Sequence, residues 1–165
     1  PIHEGTTGIQ AMDLLGRKVI MKNGKAFFLY LEEIRNLIQQ TNLFPPLQAQ
    51  CAQLENALKT LEQVTAHLTA IAMEKGAEIF LADSALYLEM FGIITISWQW
   101  LLQALAIQNS IRENPSRAES QFMEGKIFTC RYYFAYELPK IEALAKRLMD
   151  SDPITVTMDS RYFED

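Results

Sequence analysis

The residues best suited to chemistry stand at the start of the chain, where Glu4 and Gly5 precede two threonines. Thr6 or Thr7 is a natural N-cap for a following helix, because a hydroxyl oxygen accepts a hydrogen bond from a first-turn amide. Free N–H groups and partial positive charge at such a helix start suit a phosphate-bearing ligand. A carboxylate just outside the helix, such as that of Glu4, acts as a base when it is partly dehydrated. The simpler interpretation is an ordinary capped helix, since caps are far more common than phosphate sites.

The helix predicted after this stretch has Ile9, Met12 and Leu15 at helical spacing, with Leu14 beside them. This spacing predicts one apolar face on the helix.

Two strings in this stretch resemble a known signature. Residues 3–10 read His-Glu-Gly-Thr-Thr-Gly-Ile-Gln, and residues 13–18 read Asp-Leu-Leu-Gly-Arg-Lys. They are similar to the end of the catalytic helical domain of flavin-dependent acyl-CoA dehydrogenases, where Tyr-Glu-Gly-Thr-Asn-Gly-Ile-Gln precedes Asp-Leu-Val/Leu-Gly-Arg-Lys. The resemblance is to the large bacterial subgroup with an extra C-terminal helical domain, which includes the 3-methylmercaptopropionyl-CoA dehydrogenases. Looser matches to that domain occur at Leu86–Gly92, Tyr132–Pro139 and Asp159–Phe163.

The resemblance implies α,β-dehydrogenation of an acyl-CoA substrate, with FAD as cofactor and an electron-transfer flavoprotein as the partner that takes the electrons. Glu4 falls on the position of the catalytic base, and its backbone N–H on that of the donor that polarises the thioester carbonyl. Gly5 lets the backbone pass close to the substrate, and Thr6 matches a flavin-contacting threonine. Two departures stand out: His3 replaces the usual Tyr at the acyl pocket, and Gly8 stands where many members carry a Gln that contacts the cofactor.

On this resemblance we expect the chain, which begins with Pro1, to be a fragment. In the family, preceding residues supply an N-terminal helical domain, a β domain and most of the flavin pocket. We therefore expect the fragment alone to bind no FAD and to show no turnover. A competing interpretation is a purely structural helical module that docks on the parent enzyme or mediates dimerisation. A homo-oligomer is expected on either interpretation.

Composition excludes several other functions. The net charge of −5 and the pI of about 5.1 disfavour a nucleic-acid partner, which needs a basic face. A di-iron carboxylate site needs Glu-x-x-His pairs on two helices, and neither His3 nor His67 has a Glu three residues before it. No zinc-type cluster of Cys and His is present in the sequence. Cys51 and Cys130 fit buried thiols in a reducing compartment, which predicts a cytoplasmic protein, with a disulfide as the less favoured alternative.

The periodicity predicts an all-α fold, an up-and-down bundle of about four long helices with a short N-terminal helix and an extended C-terminal tail. We place a domain boundary between residues 1–20, the tail of the catalytic domain, and residues 21–165, the appended bundle. Residues 90–111 carry no charge, but their several polar side chains and the lack of basic flanks favour a core or interface helix over a membrane span. The four long helices are predicted at residues 25–41 and 47–75, from residue 77 or 83 to residue 114, and at residues 116–149.

Local signals predict where these helices begin and end. Asn23-Gly24 predicts a break before the first helix, and Gly76 predicts a stop after the second. The second helix has a seam of residues spaced by three and four, which are Leu47, Cys51, Leu54, Leu58, Leu61, Thr65, Leu68 and Ala72.

The fourth helix is predicted to begin at a capping box of Ser116 and Glu119 and to be kinked at Pro139. Residues 155–158 alternate in polarity and are predicted to be extended, in a tail anchored by Tyr162 and Phe163.

Overall fold

The computed structural model describes residues 6–110, 116–150 and 152–164. Within these ranges the chain is helical and contains no strand, which confirms the all-α prediction. The α-helices are α1 (Thr7–Asp13), α2 (Met21–Thr41), α3 (Gln48–Lys75), α4 (Ala77–Leu81), α5 (Ser84–Ser110), α6 (Arg117–Tyr132), α7 (Ile141–Leu148) and α8 (Ile154–Thr157). Two π-helical turns (Leu14–Lys18, Tyr133–Glu137) and three 3-10 segments (Pro45–Leu47, Leu138–Lys140, Ser160–Phe163) complete the described elements. The described residues therefore form more helical segments than the four long helices and one short helix that the sequence predicts.

Helix α5 is the centre of the packing, because α1, α2, α3, α6 and α7 all contact it. Tyr87, Met90, Ile94 and Leu101 are fully buried along its length. By length and composition alone α5 is apolar enough to cross a membrane, and 39% of its most apolar window is buried. A core helix of a soluble protein has the same composition, since a helix that is apolar all round is normally wrapped by others. The absence of a membrane span stays a prediction.

Helix α3 follows the predicted pattern from end to end. Gly76 ends it with a φ of 88°, a left-handed conformation that glycine adopts without a Cβ clash. The predicted seam of residues spaced by three and four faces inward, and almost all of its members are buried. These are Leu47, Cys51, Leu54, Leu58, Leu61, Thr65 and Leu68.

The predicted break before α2 is present as a left-handed turn. Lys22, Asn23 and Gly24 have φ values of 51°, 56° and 78°, although the segment Met21–Thr41 is otherwise helical. A Cβ on Gly24 would lie 3.2 Å from a ring carbon of Phe28. The ring of Phe28 is therefore folded back over the turn, and the regular part of α2 begins at Lys25 as the sequence predicts.

The last long helix starts as predicted and is then interrupted. Ser116 and Glu119 form the predicted capping box, in which the Ser116 backbone N–H donates to Glu119 Oε2 at 2.8 Å. Near Pro139 the helix passes through a π-helical turn and a 3-10 segment before α7 begins. Proline lacks an N–H and its ring crowds the carbonyl four residues earlier, so it breaks the regular hydrogen-bond pattern. One kinked helix was expected; the chain instead forms α6 and α7.

The prediction of an extended C-terminal tail is wrong for the described residues. Helix α8 forms one turn, with the N–H of Val156 and the N–H of Thr157 both donating to the Pro153 carbonyl. A 3-10 turn follows, capped by Asp159, and the extended residues Met158, Asp159 and Glu164 lie directly beside these turns. Tyr162 and Phe163, expected to anchor the tail, are 75% and 73% exposed. Local hydrogen bonding, rather than packing across the bundle, sets the structure of this segment.

Both cysteines are buried and unpaired, as the favoured interpretation predicts, with exposures of 2% for Cys51 and 1% for Cys130. Burial disfavours the charged thiolate and raises the pKa of each thiol to about 11. Burial likewise raises the pKa of Tyr30 to about 12, although its hydroxyl bonds to that of Thr95 at 2.9 Å. These groups are packing residues, since a nucleophilic thiol needs a lowered pKa and access.

The left-handed turn makes a stability prediction. We expect Gly24→Ala to lower the free energy of unfolding by about 1–2 kcal/mol, because alanine is strained at a positive φ and its Cβ meets Phe28. Gly125→Ala is the matched control: Gly125 lies within α6 and nothing is within 4 Å of an added Cβ. That change should raise the free energy of unfolding by about 0.5–1 kcal/mol. Urea denaturation of both variants measures the difference, and equal shifts in the same direction would contradict the turn.

The buried thiols predict a loss of stability at alkaline pH. Because the folded-state pKa values are raised, the stabilisation is complete below the unfolded pKa of about 9 and is lost as pH rises towards 11. We expect each thiol to contribute on the order of 1–2 kcal/mol to the decline between pH 8 and pH 10.5. Urea denaturation across this range measures it, and the double variant Cys51→Ala, Cys130→Ala should decline less steeply. An equally steep decline in the variant would exclude the thiols as its cause.

Candidate functional site

Among the predicted site residues, Thr6 lies within the described part of the chain, whereas Glu4 and Gly5 lie outside it, as does His3. Thr6 occupies the N-cap position of α1 as predicted, but its hydroxyl does not cap a first-turn amide. Instead the side-chain amide of Gln10 donates to Thr6 Oγ1 at 3.2 Å, and the Gln10 backbone N–H donates to the Thr6 carbonyl at 3.0 Å. The hydroxyl that the resemblance assigns to the flavin is thus held at the start of α1 by a residue of the same motif.

The buried face of α1 differs from the predicted one. Ala11, Leu15 and Val19 are buried, at 0%, 1% and 4% exposure, whereas Ile9 is 67% and Met12 is 44% exposed. Ile9 and Met12 lie in the regular part of α1, before the π-helical turn at Leu14–Lys18, and they are exposed because the covered side of the helix is the one that carries Ala11. The buried face packs against α5. Hence the prediction was right about Leu15 and wrong about Ile9 and Met12.

The charged end of the motif forms a local ion-pair cluster. Arg17 Nη2 donates to Asp13 Oδ2 at 2.9 Å, and Lys18 Nζ lies 3.3 Å from the same oxygen. The hydrogen bond from Arg17 holds the pKa of the Asp13 carboxyl below its usual value. The cluster pairs the charged side chains of the π-helical turn with Asp13. Because these side chains are largely exposed, it contributes little to the free energy of folding.

Gly16, the glycine of the second motif string, has a packing role. A Cβ placed on it would lie 3.2 Å from Leu81 Cδ2, on the last residue of α4. The missing side chain lets the π-helical turn approach α4 closely, which fixes the direction in which α1 runs towards its N-terminus. Several residues of the motif therefore position the segment next to Glu4 rather than take part in chemistry.

The bundle itself carries satisfied polar groups in its core. The hydroxyls of Thr65 and Tyr87 lie 2.8 Å apart, and Tyr87 is fully buried. Burial raises the pKa of Tyr87, so its hydroxyl stays protonated at neutral pH. Among the described residues no group of three or more His, Cys, Asp or Glu side chains is arranged to hold a metal ion. The described bundle thus offers hydrogen-bonded packing groups, and the candidate chemistry stays with the N-terminal motif.

Comparison with known proteins places the chain among acyl-CoA dehydrogenases. Residues 30–159 match the family described as "Acetyl-CoA dehydrogenase C-terminal like". The chain is 29% identical over 158 residues to the 3-methylmercaptopropionyl-CoA dehydrogenase of Ruegeria pomeroyi, a match that covers 95% of this chain and 26% of that protein. It is 23% identical over 167 residues to the broad-specificity linear acyl-CoA dehydrogenase FadE5 of Mycobacterium tuberculosis, covering 98% of this chain and 27% of that protein.

The chain spans about a quarter of the length of these two curated relatives. The family match covers most of the chain, including α3 to α8 and residues 30–41 of α2. It agrees with the family that the two motif strings indicate. The chain therefore belongs to the acetyl-CoA dehydrogenase C-terminal-like family, the C-terminal helical part of acyl-CoA dehydrogenases.

Proposed function

We propose that this chain is the C-terminal part of an FAD-dependent acyl-CoA dehydrogenase that introduces an α,β double bond into an acyl-CoA thioester. The observation that carries the proposal is the match to 3-methylmercaptopropionyl-CoA dehydrogenase over 95% of this chain, which includes most of the N-terminal motif as well as the bundle. A match confined to the bundle would support a shared helical module and no more. Glu4, Gly5 and Thr6 belong to the string at residues 3–10 that resembles the family's signature, and this resemblance supports the activity.

Glu4 is the proposed base that removes the α proton of the substrate. It lies two residues before the N-cap of α1, where the chain emerges from a helix anchored on α5. A carboxylate enclosed beside a ligand loses hydration, which raises its pKa and makes it a competent base near neutral pH. The Glu4 N–H is the proposed donor to the thioester carbonyl, where a fixed donor stabilises the developing negative charge. Gly5 gives the backbone room to pass close to the substrate.

Thr6 is the proposed flavin contact. A hydroxyl at a helix start, next to first-turn amides, fits the hydrogen-bonding edge of a flavin, and the bond from Gln10 orients it. Bound FAD would supply the acceptor for the β hydride. The described residues offer only this edge of such a site, so the other walls would come from residues outside this chain. We therefore propose that the chain alone neither retains FAD nor turns over substrate.

The bundle has a proposed structural role, with residues 1–20 as the end of the catalytic domain and residues 21–165 as an up-and-down helical domain appended to it. Exposed aromatic residues favour a homo-oligomer: Phe128, Tyr132 and Tyr136 recur every four residues and are 65%, 55% and 64% exposed. The rings of Tyr132 and Tyr136 stack with centroids 4.7 Å apart. An apolar stripe of this kind is typical of an interface. An electron-transfer flavoprotein as electron acceptor and a cytoplasmic location complete the proposal.

The assignment of Glu4 is tested in the longer polypeptide that contains this chain. We expect Glu4→Gln to lower kcat by about 10²–10⁴-fold, because the amide cannot accept the α proton. Flavin content should stay unchanged, since the variant keeps the backbone and the volume of the side chain. Turnover of an acyl-CoA with an artificial electron acceptor measures the effect. Glu33→Gln, on the exposed face of α2, is the control and should leave kcat unchanged. Undiminished turnover by Glu4→Gln would remove Glu4 from the mechanism.

A further inference from the structure

A groove of about 680 Å³ lies between the start of α2 and the middle of α3. Its walls include Val19, Ile20, Phe27 and Phe28 on one side and Ala66 on the other. Two of these side chains are notably open to solvent, with exposures of 43% for Ile20 and 62% for Phe28. Exposed apolar area costs roughly 25 cal/mol per Å² relative to burial, so covering this groove would be favourable.

The left-handed turn at Lys22–Gly24 builds the mouth of the groove. Asn23 and Gly24 line it, and the Phe28 ring is folded back over Gly24. Two non-glycine residues at positive φ are costly, on the order of 1 kcal/mol each, and persist only where the surrounding structure holds them. The groove is therefore a built feature of the fold.

Three of the four polar side chains that line the groove, those of Glu62, Thr65 and Thr69, are hydrogen-bonded within the bundle. The carboxylate of Glu62 receives a hydrogen bond from Arg35 at 2.6 Å. The Thr65 hydroxyl donates to the Leu61 carbonyl, and the Thr69 hydroxyl donates to the Thr65 carbonyl, each at 2.7 Å. A polar or charged ligand would find no unpaired partner among these groups. The chemistry of the groove therefore favours an apolar occupant.

The position of the groove identifies the source of that occupant. Val19 and Ile20, in its wall, are the last residues of the segment that the proposed function assigns to the catalytic domain. The curated relatives are about four times as long as this chain, so most of such a polypeptide lies outside it. Since the proposed catalytic part joins the bundle at the wall of the groove, its own segments are close to the groove in the same polypeptide. The aromatic stripe on α6 provides a separate surface for a second copy.

We propose that this groove is the docking site for an apolar segment of the catalytic part of the same polypeptide, which packs against Ile20 and Phe28. The inference rests on the proposed function, because it requires a catalytic part that precedes this chain. Docking at the joint holds the bundle in one orientation, and through the helix α1 and its π-helical turn it fixes where Glu4 stands relative to that part.

The test uses the longer polypeptide with the photo-crosslinking residue p-benzoylphenylalanine in place of Phe28. We expect illumination to give an intramolecular cross-link from position 28 to a residue that precedes Pro1, located by peptide mass spectrometry. The same residue in place of Phe128 is the matched control, because Phe128 is 65% exposed and lies on α6, away from the groove. We expect the yield of cross-link to the preceding part to be about tenfold lower from position 128 than from position 28. The yield follows the fraction of time that the two segments are in contact.

Two results would overturn the docking site: a cross-link from position 28 to a second copy, or a yield with the preceding part no higher than that from position 128. The flavin content and the turnover of the same samples report separately on the proposed function. Bound flavin and turnover without the cross-link would refute the docking site alone. A cross-link in a polypeptide that holds no flavin would refute the dehydrogenase and keep the docking site.

Discussion

The constraint on which the rest of the structure depends is the uncharged length of α5. From Met90 onwards this helix carries no charged side chain, so the free energy of the fold comes largely from covering it. Helices α1, α2, α3, α6 and α7 all contact it, and the seam of α3 supplies the longest complementary surface. The hydroxyls of Thr65 and Tyr87, which lie in this core, are paired with each other. A buried hydroxyl without such a partner would cost about 1–3 kcal/mol.

The same helix connects the bundle to the candidate chemistry. Ala11, Leu15 and Val19 bury their side chains in the core, and Gly16 brings the π-helical turn against Leu81 of α4. The motif is therefore more than a set of reacting groups. Its apolar residues and its glycine fix the helix α1, which begins three residues after Glu4 in the sequence. A base needs to be held in place to be effective, because misplacement by about 1 Å can cost 10²-fold in rate.

Local signals in the sequence predicted the features that local physics decides. The stop at Gly76, the turn before Lys25 and the Ser116 capping box are all present, since each depends on a backbone conformation or on a hydrogen bond between near neighbours. The family and the all-α class also followed from the sequence. The buried face of α1 did not, because packing against α5, a distant segment of the chain, decides which side of α1 is covered. The C-terminal residues were predicted to be extended because polar and apolar side chains alternate there. Over so few residues this alternation also fits a single helical turn, which is what the chain forms.

Pro139 indicates where the last long helix is interrupted, but it does not indicate the form of the interruption. The π-helical turn that precedes the proline depends on packing against α5. The roles of Glu4, Gly5 and Thr6 stay predictions from the resemblance; for Thr6 the structure gives its place at the start of α1. The groove beside the left-handed turn had no sequence signal beyond Asn-Gly. Its walls come from two segments about forty residues apart that only the fold brings together.

The most direct test of the dehydrogenase is a single half-reaction. The longer polypeptide, purified with its flavin, is mixed with an acyl-CoA thioester in the absence of oxygen and of any electron acceptor, and the visible absorbance of the flavin is followed. We expect the flavin to be reduced and its absorbance to fall, with an equivalent amount of the α,β-unsaturated thioester formed. A flavin that stays oxidised in the presence of saturating acyl-CoA thioesters of short, medium and long chain would contradict the proposed function.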